Sequence, residues 1–526
     1  MEKKLILPFL LITFLFFSVR TYPQPLPELK IDPLLLVSLK ECRNIIKILG
    51  RDIFPGWDIQ KTPVLFYKPG IQELLINFPH KPQGFSEFNG ISPLPAETFY
   101  VRNETTTFLI DDQNTSTQVD GIPVLVVADP LSRMRNQIRG VLMTRPKEFV
   151  LQWLEDWNFT PSPYHELLLI LHEGFHVYQH TMAPEKMANE MALSKYPLLD
   201  PVNNALYVLE GNILRDALLS RGSQRLDKIK EFVAVRHFRQ SRLDRDCAEY
   251  ENLAEYSEGL AKYIEYKFLT LGEKIEPLKE MFYRQGFHGY QGVLSKLLEN
   301  NIQDMVKIVA VSDDRFGNKF GAGPLRFKLY DLGACQALLL DEVMPSWKEK
   351  IFDKGVSIGG LLIQAAGLSP EELERHLSHA KQEYKYEEAL AEKLKFEQEG
   401  KKKIQEKLDA LLHSDQTLVR IVYGGFTDQI GISFSPFGVT WVSETSAIYD
   451  MVPIKVVLKG GVALQLKKII PVLIDKAKKE ILFTVASPAS TFLPGDSAKV
   501  ETDEFLLSGA KMSLRREGKD IRIELR

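Results

Sequence analysis

His172-Glu173-Gly174-Phe175-His176 gathers two imidazoles and one carboxylate in a single short run of the chain. On a helix, residues i and i+4 lie one turn apart on the same face. His172 and His176 can therefore share one Zn²⁺, while Glu173 would act as general base on a metal-bound water. The apolar run Leu167-Leu168-Leu169-Ile170-Leu171 leads straight into His172 and drives the helix into a core. Polar groups carried there need partners, because burying one unpaired costs roughly 2–7 kcal/mol. A metal ion satisfies all three. From this motif alone the competing reading is an ordinary helix whose histidines bond to backbone or to carboxylates.

The choice turns on a third ligand. Downstream, the run from Glu249 to Glu265 carries Glu251, Glu255, Glu258 and Glu265, and Glu210-Gly211 lies earlier in an inserted stretch. Here Ser257-Glu258-Gly259-Leu260-Ala261-Lys262-Tyr263 resembles the second zinc helix of the gluzincin metallopeptidases, N-E-G-[FL]-A-x-Y, with Ser in place of Asn. The resemblance implies that Glu258 completes a His172, His176, Glu258 ligand set for one Zn²⁺ per chain. Glu255 and then Glu210 are the rivals, and acids left unused would support the histidines or lie on the surface. Gly259 and Ala261 are small enough to let this helix approach the zinc helix closely. The resemblance covers two helices. The stretch between the motifs is long and holds a helical pair from Pro201 to Arg239, and no G-x-M-E-N-like motif precedes it, so aminopeptidase activity is not implied. The overall look is that of uncharacterised exported bacterial proteins with an H-E-x-F-H-x-Y-Q helix, described as peptidases.

The implied chemistry is zinc-dependent hydrolysis of peptide bonds in a peptide or protein substrate. Three protein ligands leave the fourth position to water, whose pKa zinc lowers towards ~7. Glu173 would take its proton and return it to the leaving amine. A donor for the tetrahedral oxyanion is also needed. Tyr330, His288, Tyr290 and His237 are the candidates. Tyr330 is preferred because Gly321-Ala322-Gly323-Pro324 reads as a loop that would bring it over the site, although a tyrosine packed at a helix start is the plainer reading. Gln179, three residues beyond His176, is placed either to support a ligand from behind or to contact substrate. His165 and His180 share the stripe, and His180 suits the helix end. Two alternatives remain: a zinc hydrolase of another amide or ester, or a non-catalytic, zinc-stabilised binding protein whose β-rich C-terminal region docks a cell-surface partner.

Several elements must position these groups. Lys3 and Lys4 precede an apolar run from Leu5 to Val19 closed by Arg20, the pattern of a secretory signal over residues 1–21. Export to a periplasmic or extracellular location follows, with an uncleaved N-terminal membrane anchor as the alternative. No later run is long and apolar enough to span a bilayer. The net charge of −3 over 526 residues gives no electrostatic footprint for nucleic acid. Three widely spaced cysteines, Cys42, Cys247 and Cys335, allow at most one disulfide and form no metal pair.

Together the patterns predict an α+β protein. A mainly helical, zincin-like catalytic domain spans 24–367, with an antiparallel β layer over 63–129 and helices over 130–367. The clearest helices are Lys147–Trp157, Pro163–His180, Pro201–Arg221, Leu226–Arg239, Asp244–Leu271 and Tyr330–Pro345. A capping box at Ser369-Pro370-Glu371-Glu372 opens a polar helical connector over 368–413, broken near Gly400. Its His376 and His379 are read as surface residues rather than metal ligands. Short alternating runs over 414–526 read as a small all-β domain, sandwich or barrel, ending in a hairpin at Glu517-Gly518-Lys519-Asp520.

Overall fold

The computed structural model describes residues 29–88, 94, 97–103, 114–130, 162–310, 319–424, 430–433, 438–450, 453–458, 461–488, 492 and 495–525. The segment read as a secretory signal and the helix read over Lys147–Trp157 lie outside the described residues.

Regularly spaced Leu and Ile residues after Pro33 form α1 (Leu34–Ile53), which buries Leu35, Leu39, Ile45 and Leu49. Pro69-Gly70 then closes a hairpin between β1 (Val64–Lys68) and β2 (Gln72–Ile76), with Gly70 at the φ of +69° that only glycine adopts without strain. With β3 (Ser86–Glu87), β4 (Phe99–Arg102), β5 (Thr115–Val119) and β6 (Ile122–Ala128) these make a six-stranded sheet, ordered β3-β4-β2-β1-β6-β5. The expected antiparallel layer is in fact mixed, because β6 lies parallel to β1. Both strands are nearly continuous apolar runs. Phe66 and Val127 face the main core while Leu65 and Val126 face a second apolar cluster, the two-sided burial that parallel pairing favours.

The next α-helix with described bounds is α2 (Pro163–Met182), whose first turn carries proline and whose Ser162 hydroxyl accepts from the His165 amide. Then come α3 (Pro201–Leu219), α4 (Gly222–Gln240) and α5 (Arg245–Ala254). The helix read as continuous over Asp244–Leu271 is interrupted by a π turn, Glu255–Gly259, before resuming as α6 (Leu260–Leu271). After α7 (Leu294–Ala310) and α8 (Ala322–Val343), a short turn α9 (Trp347–Lys350) and α10 (Ile358–Ala366) complete this part. Gly321 to Pro324 is therefore not a loop, since Ala322–Pro324 is the first turn of α8, where proline fits.

Gly259 serves a different neighbour from the one expected. A Cβ there would fall 2.6 Å from the Gly333 Cα of α8, and one on Gly333 would fall 2.7 Å from the Glu255 carbonyl. The two backbones touch, so the small residue admits α8 rather than α2. Gly333→Ala should destabilise the fold by about 1–3 kcal/mol through overpacking. Gly424→Ala, with nothing within 4 Å of its added methyl, should be close to neutral. Urea unfolding of the pair checks this, and equal midpoints would refute the contact.

The polar segment read as a connector packs as a layer on the helical region. Its capping box forms, with Ser369 and Glu372 exchanging both hydrogen bonds. α11 (Pro370–Glu383) runs along α4 and α12 (Tyr386–Leu412) along α3, and Ala380 and Tyr386 join the main core. The break falls at Lys385 (φ +52°), not at Gly400. Gly400 sits inside α12, where a Cβ would lie 2.7 Å from Leu199, so glycine marks close packing there. His379 is exposed and pairs with Glu231 at 2.8 Å. The Lys228 ammonium, bonded to Glu231 and Glu383, supplies the positive charge of that cluster.

The C-terminal part is one eleven-stranded sheet. Its strands are β7 (Thr417–Val422), β8 (Ile430–Ser433), β9 (Val439–Ser443), β10 (Ser446–Tyr449), β11 (Lys455–Leu458), β12 (Val462–Leu466), β13 (Val472–Asp475), β14 (Glu480–Val485), β15 (Gly495–Glu501), β16 (Phe505–Glu517) and β17 (Asp520–Leu525). They follow the order β8-β11-β12-β16-β17-β7-β14-β13-β10-β9, with β15 beside β16. The terminal hairpin forms with Glu517 opposite Asp520, and β17 lies parallel to β7. Val419, Ile421 and Phe483 fill one face; Leu418 and Leu482 on the other meet Leu411 of α12. All three cysteines are buried and free. Among the described residues no helix is long and apolar enough to cross a membrane.

Candidate metal centre

α2 runs through the core with Leu167, Ile170, Leu171 and Phe175 fully buried, and it delivers His172 and His176 one turn apart. Gly174 lets this helix press against Ile59, where an added Cβ would lie at 2.8 Å. The π turn presents Glu258 opposite them. One oxygen, Glu258 Oε2, lies 3.6 Å from His172 Nε2 and 3.4 Å from His176 Nε2. A tetrahedral ion with bonds of about 2.0–2.2 Å has ligand-to-ligand edges of about 3.3–3.6 Å, so the oxygen stands at ligand spacing from both nitrogens, and all three atoms lie within 4.8 Å of one another. These residues form a group able to hold a metal ion.

The far side of each imidazole is fixed. His172 Nδ1 lies 2.7 Å from Glu265 Oε1, and Lys262 in turn bonds to Glu265. His176 Nδ1 lies 2.9 Å from Gln179 Oε1, while the Gln179 amide donates to the Tyr256 carbonyl at 2.6 Å. With the amide so engaged, Gln179 can only accept from His176, which places the proton on Nδ1 and turns the Nε2 lone pair to the centre. Such outer partners orient ligands and raise their basicity. Glu265→Gln should weaken metal binding by about 10–100-fold, measured by competition with a chromophoric chelator. Unchanged affinity would remove Glu265 from the account.

The electrostatics match a cation site. Burial disfavours charge on His172, yet hydrogen bonds to Glu258 and Glu265 outweigh it and push the imidazolium up to about 10. Burial likewise opposes charge on Glu258, but His176 and His172 hold its carboxyl well below the usual range. Glu173 is half-buried beside both rings and makes no hydrogen bond among the described residues. Burial raises its pKa, partly offset by the two histidines. A carboxylate moved upward in this way is the better base near neutral pH.

Tyr330 comes to the same place. It stands on the third turn of α8, its ring stacked 6.5 Å from His172. Burial and the neighbouring Glu258 push its phenol well above 10, so it remains a donor. Arg326, one turn earlier, bonds to Glu190 at 2.6 Å and lies 3.8 Å from Glu258 and 3.5 Å from the Tyr330 oxygen. Arg326 and Glu190 were not among the candidates. Their signal is the i, i+4 spacing of Arg326 and Tyr330, which becomes visible once α8 starts at Ala322. The other oxyanion candidates are carried elsewhere. Tyr290 bonds to Glu41 at 2.6 Å, while His288 and His237 are exposed, the former in a loop tied to Tyr164. His180 lies in the last turn of α2.

The rival acids face away. Glu210 and Glu251 pair with Arg239 at 2.6 and 2.7 Å, and Glu255 pairs with Arg236 at 2.6 Å, all fully buried. The π turn explains the division. Its extra residue per turn rotates the chain, so Glu251 and Glu255 face α4 while Glu258 and Glu265 face α2. No family model, curated protein or solved structure matches this chain.

Proposed function

We propose that this protein is an exported zinc metallopeptidase, a hydrolase that cuts peptide bonds at the His172, His176, Glu258 centre. The observation that carries the proposal is the convergence of both Nε2 atoms on one Glu258 oxygen, with each Nδ1 already engaged. Two neutral imidazoles and one carboxylate are the donor set of catalytic zinc sites. Among the described residues the group has three ligands, which favours an open site over a closed structural one. Zinc bound there would polarise a carbonyl and make a water acidic near neutral pH.

The chain's own residues supply the rest. Glu173 receives a proton from the attacking water and hands it to the departing amine. Tyr330 and Arg326 offer an O–H and N–H groups to the oxygen on which charge develops. Gln179 and Glu265 keep the imidazoles in the productive tautomer. Peptide as substrate class rests on the resemblance of the 257–263 stretch, whereas the side chains themselves support hydrolysis more broadly. Digestion of a mixed peptide library, read by mass spectrometry, tests the substrate class. Cleavage by wild type that disappears on chelation and returns with zinc supports a peptidase. Intact peptides alongside hydrolysis of simple esters would move the assignment to another hydrolase.

A further inference from the structure

A second constellation lies beyond the metal centre, where the start of α8 meets α3 and α12. A cavity of about 40 Å³ is lined there by Tyr207, Gly321, Pro324, Lys328, Lys393 and Phe396. Lys328 and Lys393 are only 8% and 4% exposed. Among the described residues Lys328 has no hydrogen-bond or ion-pair partner, and Lys393 has only exposed Glu392 at 3.4 Å. The acid that Lys328 feels, Glu210, is committed to Arg239. Holding charge on a largely buried lysine with no acid beside it is costly.

The backbone adds to the same charge. Gly321 caps α8 without a side-chain hydrogen bond, and Pro324 has no N–H, so among the described residues the Ala322 and Gly323 amides at the start of this 22-residue helix have no side-chain cap. The positive end of the helix dipole points there as well. Two independent features, a bare helix start and a buried lysine that has the Tyr207 ring 5.3 Å from its Nζ but no counter-charge, thus converge on one small space. It has room for a compact ion and is too small for a nucleotide or a peptide.

We infer that this cavity binds a small oxyanion, of phosphate, sulfate or carboxylate chemistry, held by Lys328, Lys393 and the first amides of α8. Burial, then Lys393 and Arg239, depress the Lys328 amine to about 7 against the pull of Glu210, and a bound anion would restore its charge. The site also bears on the metal centre mechanically. It anchors the helix that carries Arg326 and Tyr330 on another face, although the inference stands whether or not the centre is catalytic.

The test is thermal unfolding of the full chain at constant ionic strength. Inorganic phosphate, sulfate and acetate at millimolar concentration are each compared with chloride. Wild type should gain about 2 °C or more in Tm with at least one of them. A response to phosphate or sulfate alone identifies an inorganic oxyanion, and one to acetate identifies a carboxylate ligand. Lys328→Met should keep or raise the basal Tm and lose the response, and Lys393→Met should weaken it. If Lys328→Met does not fold, calorimetric titration of wild type and Lys393→Met with phosphate, sulfate and acetate replaces it. No gain over chloride, or a full response in Lys328→Met, would overturn the inference; so would titration heats with no binding, or binding equal in wild type and Lys393→Met.

Discussion

Glu173→Gln should leave the protein folded and its metal content unchanged while lowering kcat/KM for peptide cleavage by about 10²–10⁴-fold, the usual worth of a general base. The substitution is isosteric, and Glu173 gives no hydrogen bond that the amide would break. It is not one of the three convergent ligands, so it should not disturb the ion. What is lost is a carboxylate whose pKa burial has raised beside two imidazoles. Glutamine cannot take up the proton. Activity and metal content must be measured on the same sample, because Glu265→Gln is expected to lower metal affinity first and activity only through it. A Glu173→Gln protein that is fully active with its metal in place would remove the proposed base.

Arg239→Met should destabilise the protein by about 3–5 kcal/mol, because it strands buried Glu210 and Glu251 without a counter-charge. Arg239 reaches Glu210 at 2.6 Å, Glu251 at 2.7 and 2.8 Å, and Asn203 at 3.1 Å, all in the interior. The acid limb of the stability curve should report the same network. Burial alone would raise Glu251, but Arg239 outweighs it and holds the carboxyl at about 2, against an ordinary 4.5. The folded state therefore favours the ionised form. This stabilisation, about 3 kcal/mol, is complete above pH 4.5 and is lost as the pH falls towards 2. Glu255 has the opposite sign. Burial lifts it to about 7 in spite of Arg236, so its contribution declines between pH 4.5 and 7. Urea unfolding across pH 2–5 should show a steep loss in wild type and a flatter one in Glu251→Gln. Parallel curves would detach the acid sensitivity from this network.

The legible part of the site was the part written in local spacing. The i, i+4 histidines on α2, the i+3 glutamine and the capping box at Ser369 depend on neighbours along one helix, and each forms as its spacing dictates. Glu258 was legible through a resemblance, not through spacing. A uniform helical repeat puts Glu251, Glu255, Glu258 and Glu265 on one side, and only the π turn separates the two that meet histidines from the two that meet arginines. Such a turn has no simple composition signal.

Tertiary contact decided the rest. Gly259 reads as a small residue on a zinc helix, yet its contact is the Gly333 backbone far along the chain. Gly400 reads as a breaker in a polar helix, yet it is a packing point against Leu199 and Phe320. The parallel pairing of β1 with β6 depends on a long return of the chain that local pattern does not encode.

In the proposed function His172, His176 and Glu258 together hold one catalytic zinc ion. Metal analysis of the purified protein by plasma mass spectrometry, set beside Glu258→Ala and His176→Ala, tests it most directly. The expected result is one zinc per folded wild-type chain and a large loss of bound metal in both variants. Wild type prepared in the presence of zinc but carrying none, or variants that retain it in full, would rule out zinc held by these three residues.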